Sequence, residues 1–372
     1  MNAKKYCIAI STIFLVFIIT NIIIWHYGTK NSFGIGKGHG DLGRIAGLHI
    51  TDPNTHPINY LIKHREFQDV MDNTDDIKAD VLTIGDSFSN GGGGNYYQDY
   101  LCSKYNWSIL NVPSKPYNNA LQILYILEES GLLAQIQPKV VILESLSANM
   151  KYRFGMESPQ IPKIDIDGFK QAQKCSLTTE QTERELFYEK IVPGIMLKAN
   201  LSYIEAWAYR RMNPNDYHLN EGVGMMNLNR AFFSNPGWED KLVFPFSDAN
   251  VHYDEKTLDN IVNNINGAAD LCKKHDIELV FMPVENKFDV YYPYIVDPPP
   301  QYTESMVLRD MSNLPHRFIM INTSDVLRKK LESDDKEEYI DLFWVDDLHY
   351  SWKAHEAIAE QLQYQLRDLL AK

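Results

Sequence analysis

A serine near the start of the chain and a histidine near its end are the residues best suited to act together chemically. Ser87 lies in a Gly-Asp-Ser-Phe segment directly after an apolar run, and His349 ends an Asp-Asp-Leu-His segment shortly before the last helical pattern. A serine hydroxyl is a weak nucleophile at neutral pH and needs a base within hydrogen-bond distance. Histidine serves as that base because its pKa lies near the working pH. The pair therefore predicts acyl-transfer chemistry at Ser87.

A carboxylate would complete the pair, because it fixes the imidazole tautomer and stabilises the imidazolium. Asp346 precedes His349 by three positions in a predicted loop, and this spacing allows both side chains to face one pocket. We therefore predict Ser87, His349 and Asp346 as catalytic residues. The alternative is structural: Asp86 and Ser87 would cap the next helix, and Asp346 would be a capping residue near a surface histidine. The presence of both segments at opposite ends of one domain favours the catalytic interpretation.

Alternating strand and helix patterns must position these residues. Apolar runs typical of strands buried on both faces of a parallel sheet occur at 80–84, 108–112, 140–143, 277–283 and 317–322. Helical patterns fall between and after them, at about 118–131, 255–275, 302–313 and 352–370. The alternation predicts a three-layer α/β fold with a doubly wound parallel sheet. Ser87 follows the first of these strands, so its hydroxyl should project from the carboxyl edge of the sheet, where open α/β folds bind ligands.

The N-terminal segment predicts a membrane anchor. Lys4 and Lys5 precede an almost unbroken apolar stretch from Cys7 to Trp25, which as a helix is long enough to cross roughly 30 Å of hydrocarbon. No small-residue cleavage site follows it, so we predict an uncleaved transmembrane signal anchor within residues 1–27. The two lysines favour a cytoplasmic N-terminus, although further basic residues follow the stretch. We therefore expect a single-pass protein of the inner or cytoplasmic membrane, with its soluble domain facing the periplasm or cell exterior.

Composition divides the remaining chain. Residues 28–50 are rich in glycine and are interpreted as a flexible stalk. Residues 51–372 form the predicted α/β domain, in which residues 151–253 break the alternation and are interpreted as an inserted cap region. The net charge of −13 argues against nucleic-acid binding, because phosphates require a basic surface. His355 and Glu356 lack the second histidine of a zinc-binding helix, so we expect no metal and no cofactor.

The two catalytic segments carry a resemblance to a known family. Gly-Asp-Ser-Phe with Asp-x-x-His resembles the SGNH (GDSL-type) hydrolase superfamily and, within it, the membrane-associated polysaccharide O-acetyltransferase branch of AlgJ-, AlgX- and DltD-like proteins. Residues 283–287 resemble a Pro-x-x-x-Lys segment of that branch, and residues 347–349 resemble its Asp-x-His motif. The second motif leaves Asp347 open as an alternative to Asp346, which we prefer. In AlgJ and AlgX the Asp-His motif precedes the serine, whereas here it follows it, as in DltD-like proteins.

The resemblance implies a function and the partners that this function needs. It implies a Ser-His-Asp enzyme that O-acylates, and specifically O-acetylates, an exported cell-surface polysaccharide. The acyl group would come from a multi-spanning membrane acyltransferase, because a single helix cannot carry an acyl donor across a membrane. Two alternatives stay open. One is a carbohydrate esterase or deacetylase with the same triad, and the other is a non-catalytic polysaccharide-binding or assembly subunit on the same fold.

The resemblance also implies an oxyanion hole, which the sequence marks weakly. The superfamily takes donors from a glycine after its second strand and an asparagine after its third, and here no glycine closely follows the strand at 108–112. Ser87 should donate its own amide, since a turn that opens a helix presents free N–H groups. Asn149 is the candidate second donor, and Lys287 is the candidate contact for an anionic substrate.

Overall fold

One parallel sheet forms the centre of the fold. The computed structural model describes residues 3–29, 40–48, 50, 53–56, 61–72, 77–90, 95–115, 117–157, 161, 164–175, 193–213 and 217–371. The strands within them are β1 (Arg65–Glu66), β2 (Val81–Gly85), β3 (Ile109–Pro113), β4 (Val140–Leu146), β5 (Val223–Asn227), β6 (Lys241–Pro245), β7 (Glu278–Val284) and β8 (Ile319–Met320). Six of them are hydrogen-bonded in the order β1-β3-β2-β4-β7-β8 with every adjacent pair parallel, whereas β5 and β6 form an antiparallel hairpin. The predicted α/β fold with a parallel sheet is confirmed.

The strand order creates a crevice at the carboxyl edge of the sheet. The chain passes from β2 to β3 on one side of β2, and then crosses to β4 on its other side. Apart from the edge strand β1, this is the 2-1-3-4-5 order of flavodoxin-like sheets. Such a reversal opens a crevice outside the carboxyl ends of two neighbouring strands, where ligands bind in open α/β sheets. Ser87 lies on the turn that directly follows β2, so the topology places it at this crevice.

Helices cover both faces of the sheet. Side chains along a strand alternate between two cores: in β2, Val81 packs into one core, and Leu82 and Ile84 pack into the other. The helices that contribute to the core of Val81 are Asp41–Ala46, Tyr97–Tyr105, Lys287–Tyr291, Thr323–Leu331, Lys336–Tyr339 and Trp352–Leu370. Those that contribute to the opposite core are Phe67–Val70, Ala120–Glu129, Leu132–Ile136, Met150–Phe154, a helix over 166–175, Glu255–Lys273 and Val307–Ser312. The predicted three layers are therefore present.

The N-terminal helix differs from these in its surface. Helix Ala3–Ile24 is continued by one π-helical turn, Trp25–Thr29, and its apolar side chains are largely exposed, with Phe14 at 63% and Ile23 at 51%. Its length and composition suit a single membrane span, and they would also suit a signal sequence. Within the part of the chain that the structure describes, it is the one helix long and apolar enough for either.

A short helix in the predicted stalk packs into the domain. Helix Asp41–Ala46 lies against the core on the Val81 face of the sheet, and its Leu42 is fully buried. The prediction of a flexible stalk over 28–50 is therefore wrong for this helix, because its apolar side chains are covered by the domain. Residues 30–39 of the predicted stalk lie outside the described residues.

The predicted insertion at 151–253 contributes to the main core. Its β5–β6 hairpin brings Phe244 against Phe288, with ring centroids 4.7 Å apart. Its longest described helix, Pro193–Met212, packs instead beside the N-terminal helix. Among the described residues, no hydrogen bond joins this region to the predicted serine–histidine pair. Its role as a cap over the site therefore stays a prediction.

Candidate active site

The structure brings Ser87 and His349 together. Ser87 is exposed on the turn after β2, and its Oγ lies 2.7 Å from Nε2 of His349, across 262 positions of sequence. His349 lies in a loop that ends at Ser351, the N-cap of helix Trp352–Leu370. We refer to residues 344–349 as the acid–base loop. At this distance the serine hydroxyl can give its proton to the imidazole, as an activated nucleophile requires.

Asp347 is the carboxylate that meets His349. Its Oδ1 lies 2.8 Å from Nδ1 of His349 and also accepts the backbone N–H of His349 at 3.0 Å. This Asx turn holds the ring and the carboxylate in one geometry. The carboxylate of Asp346 instead accepts the N–H of Gly40 at 3.1 Å. The prediction of Asp346 as the partner of His349 is therefore wrong, because the two-residue spacing of Asp347 is the one that closes the turn.

The helix from the predicted stalk lies directly against the acid–base loop. The N–H of Gly43 donates to the backbone oxygen of Asp346 at 2.9 Å. A Cβ at Gly40 would lie 2.3 Å from that same oxygen, so the close approach requires glycine there. Asp41 places its Oδ2 3.9 Å from Nδ1 of His349. Sequence reasoning missed Asp41, because nothing in a glycine-rich segment indicates that it folds back on a loop some 300 residues later.

The charges around His349 favour its protonated form. Burial disfavours the imidazolium, but the hydrogen bond and charge of Asp347, reinforced by Asp41, outweigh it and raise the pKa of His349 above its ordinary value. Burial would raise the pKa of the Asp347 carboxyl, yet His349 and Lys287 together hold it below its ordinary value. An ionised carboxylate beside Nδ1 therefore favours the imidazolium form of His349.

Aromatic packing holds the imidazole in place. Phe88, which follows Ser87, is only 2% exposed. Its ring centroid lies 5.0 Å from that of His349 and 4.9 Å from that of Tyr350. Because Phe88 is on the same turn as Ser87 and Tyr350 adjoins the acid–base loop, this contact fixes the two halves of the site relative to each other.

Lys287 lies behind the acid–base loop and supports it. Its side chain is completely buried, and its Nζ donates to three backbone oxygens at 2.7, 2.8 and 3.1 Å, those of Trp344, Val345 and Asp347. Burial lowers the pKa of Lys287 to about 7, although the carboxylates of Asp346 and Asp347 oppose that effect. The prediction of Lys287 as a substrate contact is wrong, because no part of its side chain reaches the solvent. It instead positions the loop that carries Asp347.

A buried polar network fixes the turn that carries Ser87. The carboxylate of Asp86 accepts a hydrogen bond from the Arg153 guanidinium. It accepts another, at 3.1 Å, from the N–H of Leu146 at the end of β4. The Asp86 N–H donates to Oε2 of Glu144 at 2.9 Å. A Cβ at Gly85 would lie 2.2 Å from that oxygen, which explains the glycine. Burial and the charge of Asp86 raise the pKa of Glu144 well above its ordinary value, and the Glu144 side chain links β4 to the turn after β2.

The backbone of Ser87 supplies one candidate oxyanion donor. Among the described residues, the Ser87 N–H donates to no acceptor. It is therefore available to an oxygen that becomes negatively charged beside the hydroxyl. Asn149 ends the 3-10 helix Ser147–Asn149 and makes no hydrogen bond to Ser87 or His349 in the described part of the chain. Its role as the second donor stays a prediction.

The same groups could be considered as metal ligands. Asp41, Asp347 and His349 each place one ligand atom within 4.8 Å of the others. Both ring nitrogens of His349 are, however, engaged in hydrogen bonds, one with Asp347 and one with Ser87. An imidazole bound in this way matches an acid–base pair, because metal ligation would have to break one of the two bonds.

Comparisons with known proteins leave the site to be judged on its own geometry. No family model matches the sequence, and no curated protein is detectably similar to it. Among solved structures, the crystal structure of TesA is similar at 11% sequence identity and a TM-score of 0.30, covering 78% of this chain and 98% of that chain. A likeness of that extent carries no argument about activity.

Proposed function

We propose that this chain is a membrane-anchored, SGNH-like serine O-acyltransferase in which Ser87, His349 and Asp347 form the catalytic triad. The observation that supports this most directly is the continuous hydrogen-bonded chain from the Ser87 hydroxyl through His349 to Asp347. It lies at the crevice of a doubly wound sheet, where such folds bind ligands. The residues are thus of the right type, in the right order and at distances that permit proton transfer.

The reaction would proceed through an acyl-enzyme. Oγ of Ser87 attacks the carbonyl carbon of an acyl donor while Nε2 of His349 takes the hydroxyl proton, and the Ser87 N–H stabilises the oxyanion. The tetrahedral intermediate then collapses, and His349 gives its proton to the leaving group. In the second half, His349 takes a proton from a sugar hydroxyl, whose oxygen attacks the acyl-enzyme. Collapse of this second intermediate forms the new ester, and the proton returns to Ser87.

The choice of a polysaccharide acceptor rests on the anchor and on the family resemblance. We propose that the N-terminal helix stays in the inner or cytoplasmic membrane, with the domain facing the periplasm or cell exterior. An anchored enzyme remains beside the machinery that exports a polymer. The acyl group would come from a multi-spanning membrane acyltransferase, and the group transferred would be acetyl.

An esterase with the same triad is the second candidate. Ser87 is exposed in this structure, so water has access to any acyl-enzyme formed on it. Transfer and hydrolysis share the first half of the reaction, and they differ only in whether a sugar hydroxyl or water attacks in the second.

The test uses the full chain in lipid nanodiscs with an activated acetyl ester, with and without short oligosaccharides. The proteins compared are wild type, Ser87→Ala and, as a matched control, a variant of the exposed Ser312 to Ala. We expect release of the leaving group by wild type and the control but not by Ser87→Ala, and acetylated sugar as a product detected by mass spectrometry. Acetate release without sugar product would select the esterase. Equal release by folded wild type and Ser87→Ala would instead select a non-catalytic polysaccharide-binding or assembly subunit.

A further inference from the structure

Helix Pro193–Met212 is joined to the N-terminal helix by buried polar contacts. The side-chain amide of Asn200 donates to the backbone oxygen of Asn21 at 3.0 Å and to its side-chain oxygen at 3.1 Å. Its carbonyl oxygen accepts the hydroxyl of Thr29 at 2.7 Å. Asn200 is 1% exposed and Thr29 is fully buried. Paired amides and hydroxyls of this kind join helices where water cannot satisfy them.

These contacts fix the position of helix Pro193–Met212 along the axis of the N-terminal helix. Asn21 lies inside the apolar helix Ala3–Ile24, and its neighbours Ile22 and Ile23 are 45% and 51% exposed. In a membrane-spanning helix, exposed isoleucines of this kind face lipid. Asn200 is hydrogen-bonded to Asn21 and so lies at the same depth. The second helix therefore cannot lie in bulk water if the first one crosses the bilayer.

The outward surface of the second helix suits that position. Leu197, Leu201 and Ile204 are 36%, 58% and 41% exposed and are spaced at i, i+4 and i+7, which places them on one face. Trp207 is 48% exposed one turn further, and the Arg211 guanidinium lies 5.0 Å from its ring centroid. A row of exposed aliphatic residues that ends in Trp and Arg is typical of a helix lying in a membrane interface.

We propose that helix Pro193–Met212 lies in the membrane interface beside the anchor, with Leu197, Leu201 and Ile204 among the acyl chains. This inference rests on the proposed function in one respect: the N-terminal helix must remain in the membrane. The occupant of the exposed face is lipid, because that face continues the lipid-facing surface of the helix to which Asn200 is bonded. Two exposed cations on the helix, Lys198 beside the aliphatic row and Arg211 at its C-terminal end, suit anionic headgroups.

The arrangement links the membrane to the acid–base loop. Arg210 donates to the backbone oxygens of Ala46 and Gly47 at 3.1 and 3.3 Å, at the end of the short helix Asp41–Ala46. The N–H of Gly43 in that helix donates to the backbone oxygen of Asp346 at 2.9 Å. Two successive contacts thus connect the interfacial helix to the loop that carries the triad base. The site is thereby held at the membrane surface, where a membrane-bound acyl donor would arrive.

The test measures the depth of single fluorescent probes on the full chain in lipid vesicles. In a background where the exposed Cys7 and Cys175 are replaced by alanine, and the buried Cys102 and Cys272 remain, the probe is placed on Leu201→Cys. The matched control is a variant of the adjacent Ser202 to Cys, which is also exposed but lies about 100° around the helix. A third probe on Phe14→Cys reports the anchor itself. Each labelled protein must retain the circular dichroism spectrum of the unlabelled chain.

We expect lipids with spin-labelled acyl chains to quench the probe at position 201 several-fold more strongly than the probe at 202, and aqueous iodide to do the reverse. Equal quenching at both positions by both quenchers, with the Phe14 probe quenched by lipid, would overturn this inference and leave the anchor intact. A Phe14 probe that lipid does not quench would overturn the anchor and this inference together. Neither result would bear on the triad, which the Ser87→Ala comparison tests separately.

Discussion

The Oδ1 atom of Asp347 lies 2.8 Å from Nδ1 of His349, while the carboxylate of the preceding residue, Asp346, bonds the N–H of Gly40. Two adjacent aspartates therefore serve different contacts. Asp347 orients the imidazole and favours its protonated form. Asp346 attaches the acid–base loop to the short helix that begins at Asp41. A chain with both residues provides a direct comparison, since the two substitutions are chemically identical and one position apart.

Replacing Asp347 by asparagine should lower kcat/KM for an activated acetyl ester by about 10⁴-fold, because the amide favours the wrong imidazole tautomer and removes the charge that stabilises the imidazolium. Replacing Asp346 by asparagine should cost less than about tenfold, since its amide oxygen can still accept the Gly40 N–H. Steady-state kinetics on the two purified variants checks this. Similar losses in both variants would contradict the assignment of Asp347.

The acid limb of the pH–rate profile should have its midpoint at a pH above the ordinary pKa of histidine, because the pKa of His349 is raised. His349 acts as a base only when neutral, so activity falls as the pH drops through this raised pKa. An Asp41→Asn substitution removes one of the charges that raise it and should move the limb to lower pH, with the rate on the alkaline plateau little changed. Profiles of kcat/KM from pH 5 to 9 locate the acid limb in wild type and in Asp41→Asn. An unmoved limb in Asp41→Asn would mean that Asp41 does not act on the base.

Much of the sheet could be predicted from the sequence because its strands are buried on both faces. β2, β3, β4 and β7 appear as continuous apolar runs, and each begins within one residue of its predicted start. β1 consists of an arginine and a glutamate at the edge of the sheet, so no apolar run marks it. The β5–β6 hairpin is not predicted, because it lies in a region that breaks the helix–strand alternation.

The site is less predictable from the sequence, because its geometry depends on the conformation of a loop. Residue types and order indicate Ser87 and His349, but the choice between Asp346 and Asp347 depends on an Asx turn whose closure the spacing alone does not determine. Lys287 is predicted as an accessible substrate contact, since lysine is rarely buried without partners. Its partners are backbone carbonyls of a loop 57 to 60 positions later. Every residue type carries such a carbonyl, so the amino-acid sequence does not indicate these contacts.

Replacing Lys287 by methionine should lower both stability and activity. Three buried carbonyls lose their donor, which we expect to cost about 2–3 kcal/mol in the free energy of unfolding. A displaced acid–base loop should lower kcat by about 100-fold even in folded protein, because a shift of about 1 Å in a catalytic group has that effect. Denaturant unfolding and kinetics at a temperature where the variant is fully folded measure the two losses separately.

The control for this variant is Lys241→Met, in which the lost Nζ contacts are with the accessible side chains of Asn227 and Asp240. We expect it to change the free energy of unfolding by less than about 0.5 kcal/mol. The Lys287 effect should also depend on pH. Its folded pKa of about 7 lies below the unfolded value, so the unfolded chain binds more protons between these values. The stability difference between wild type and Lys287→Met should therefore widen as the pH rises above 7, and a constant difference would contradict a buried, perturbed lysine.

His64 should stabilise the fold with the opposite pH dependence. Its Nδ1 lies 2.8 Å from Asp99 and its Nε2 lies 2.9 Å from Glu66, so both ring nitrogens face carboxylates and both must carry protons to donate. Burial disfavours the charged ring, yet these hydrogen bonds raise the pKa of His64 to about 9. The resulting stabilisation is fully present below about pH 6.5 and is lost as the pH rises through 9. His64→Gln should therefore destabilise the chain by roughly 3 kcal/mol at pH 6 and by much less at pH 9.5. Urea unfolding of the full chain at both pH values measures this, with the exposed His316→Gln as a control that should change little at either. A His64→Gln effect of the same size at pH 6 and pH 9.5 would mean that His64 contributes packing rather than charge.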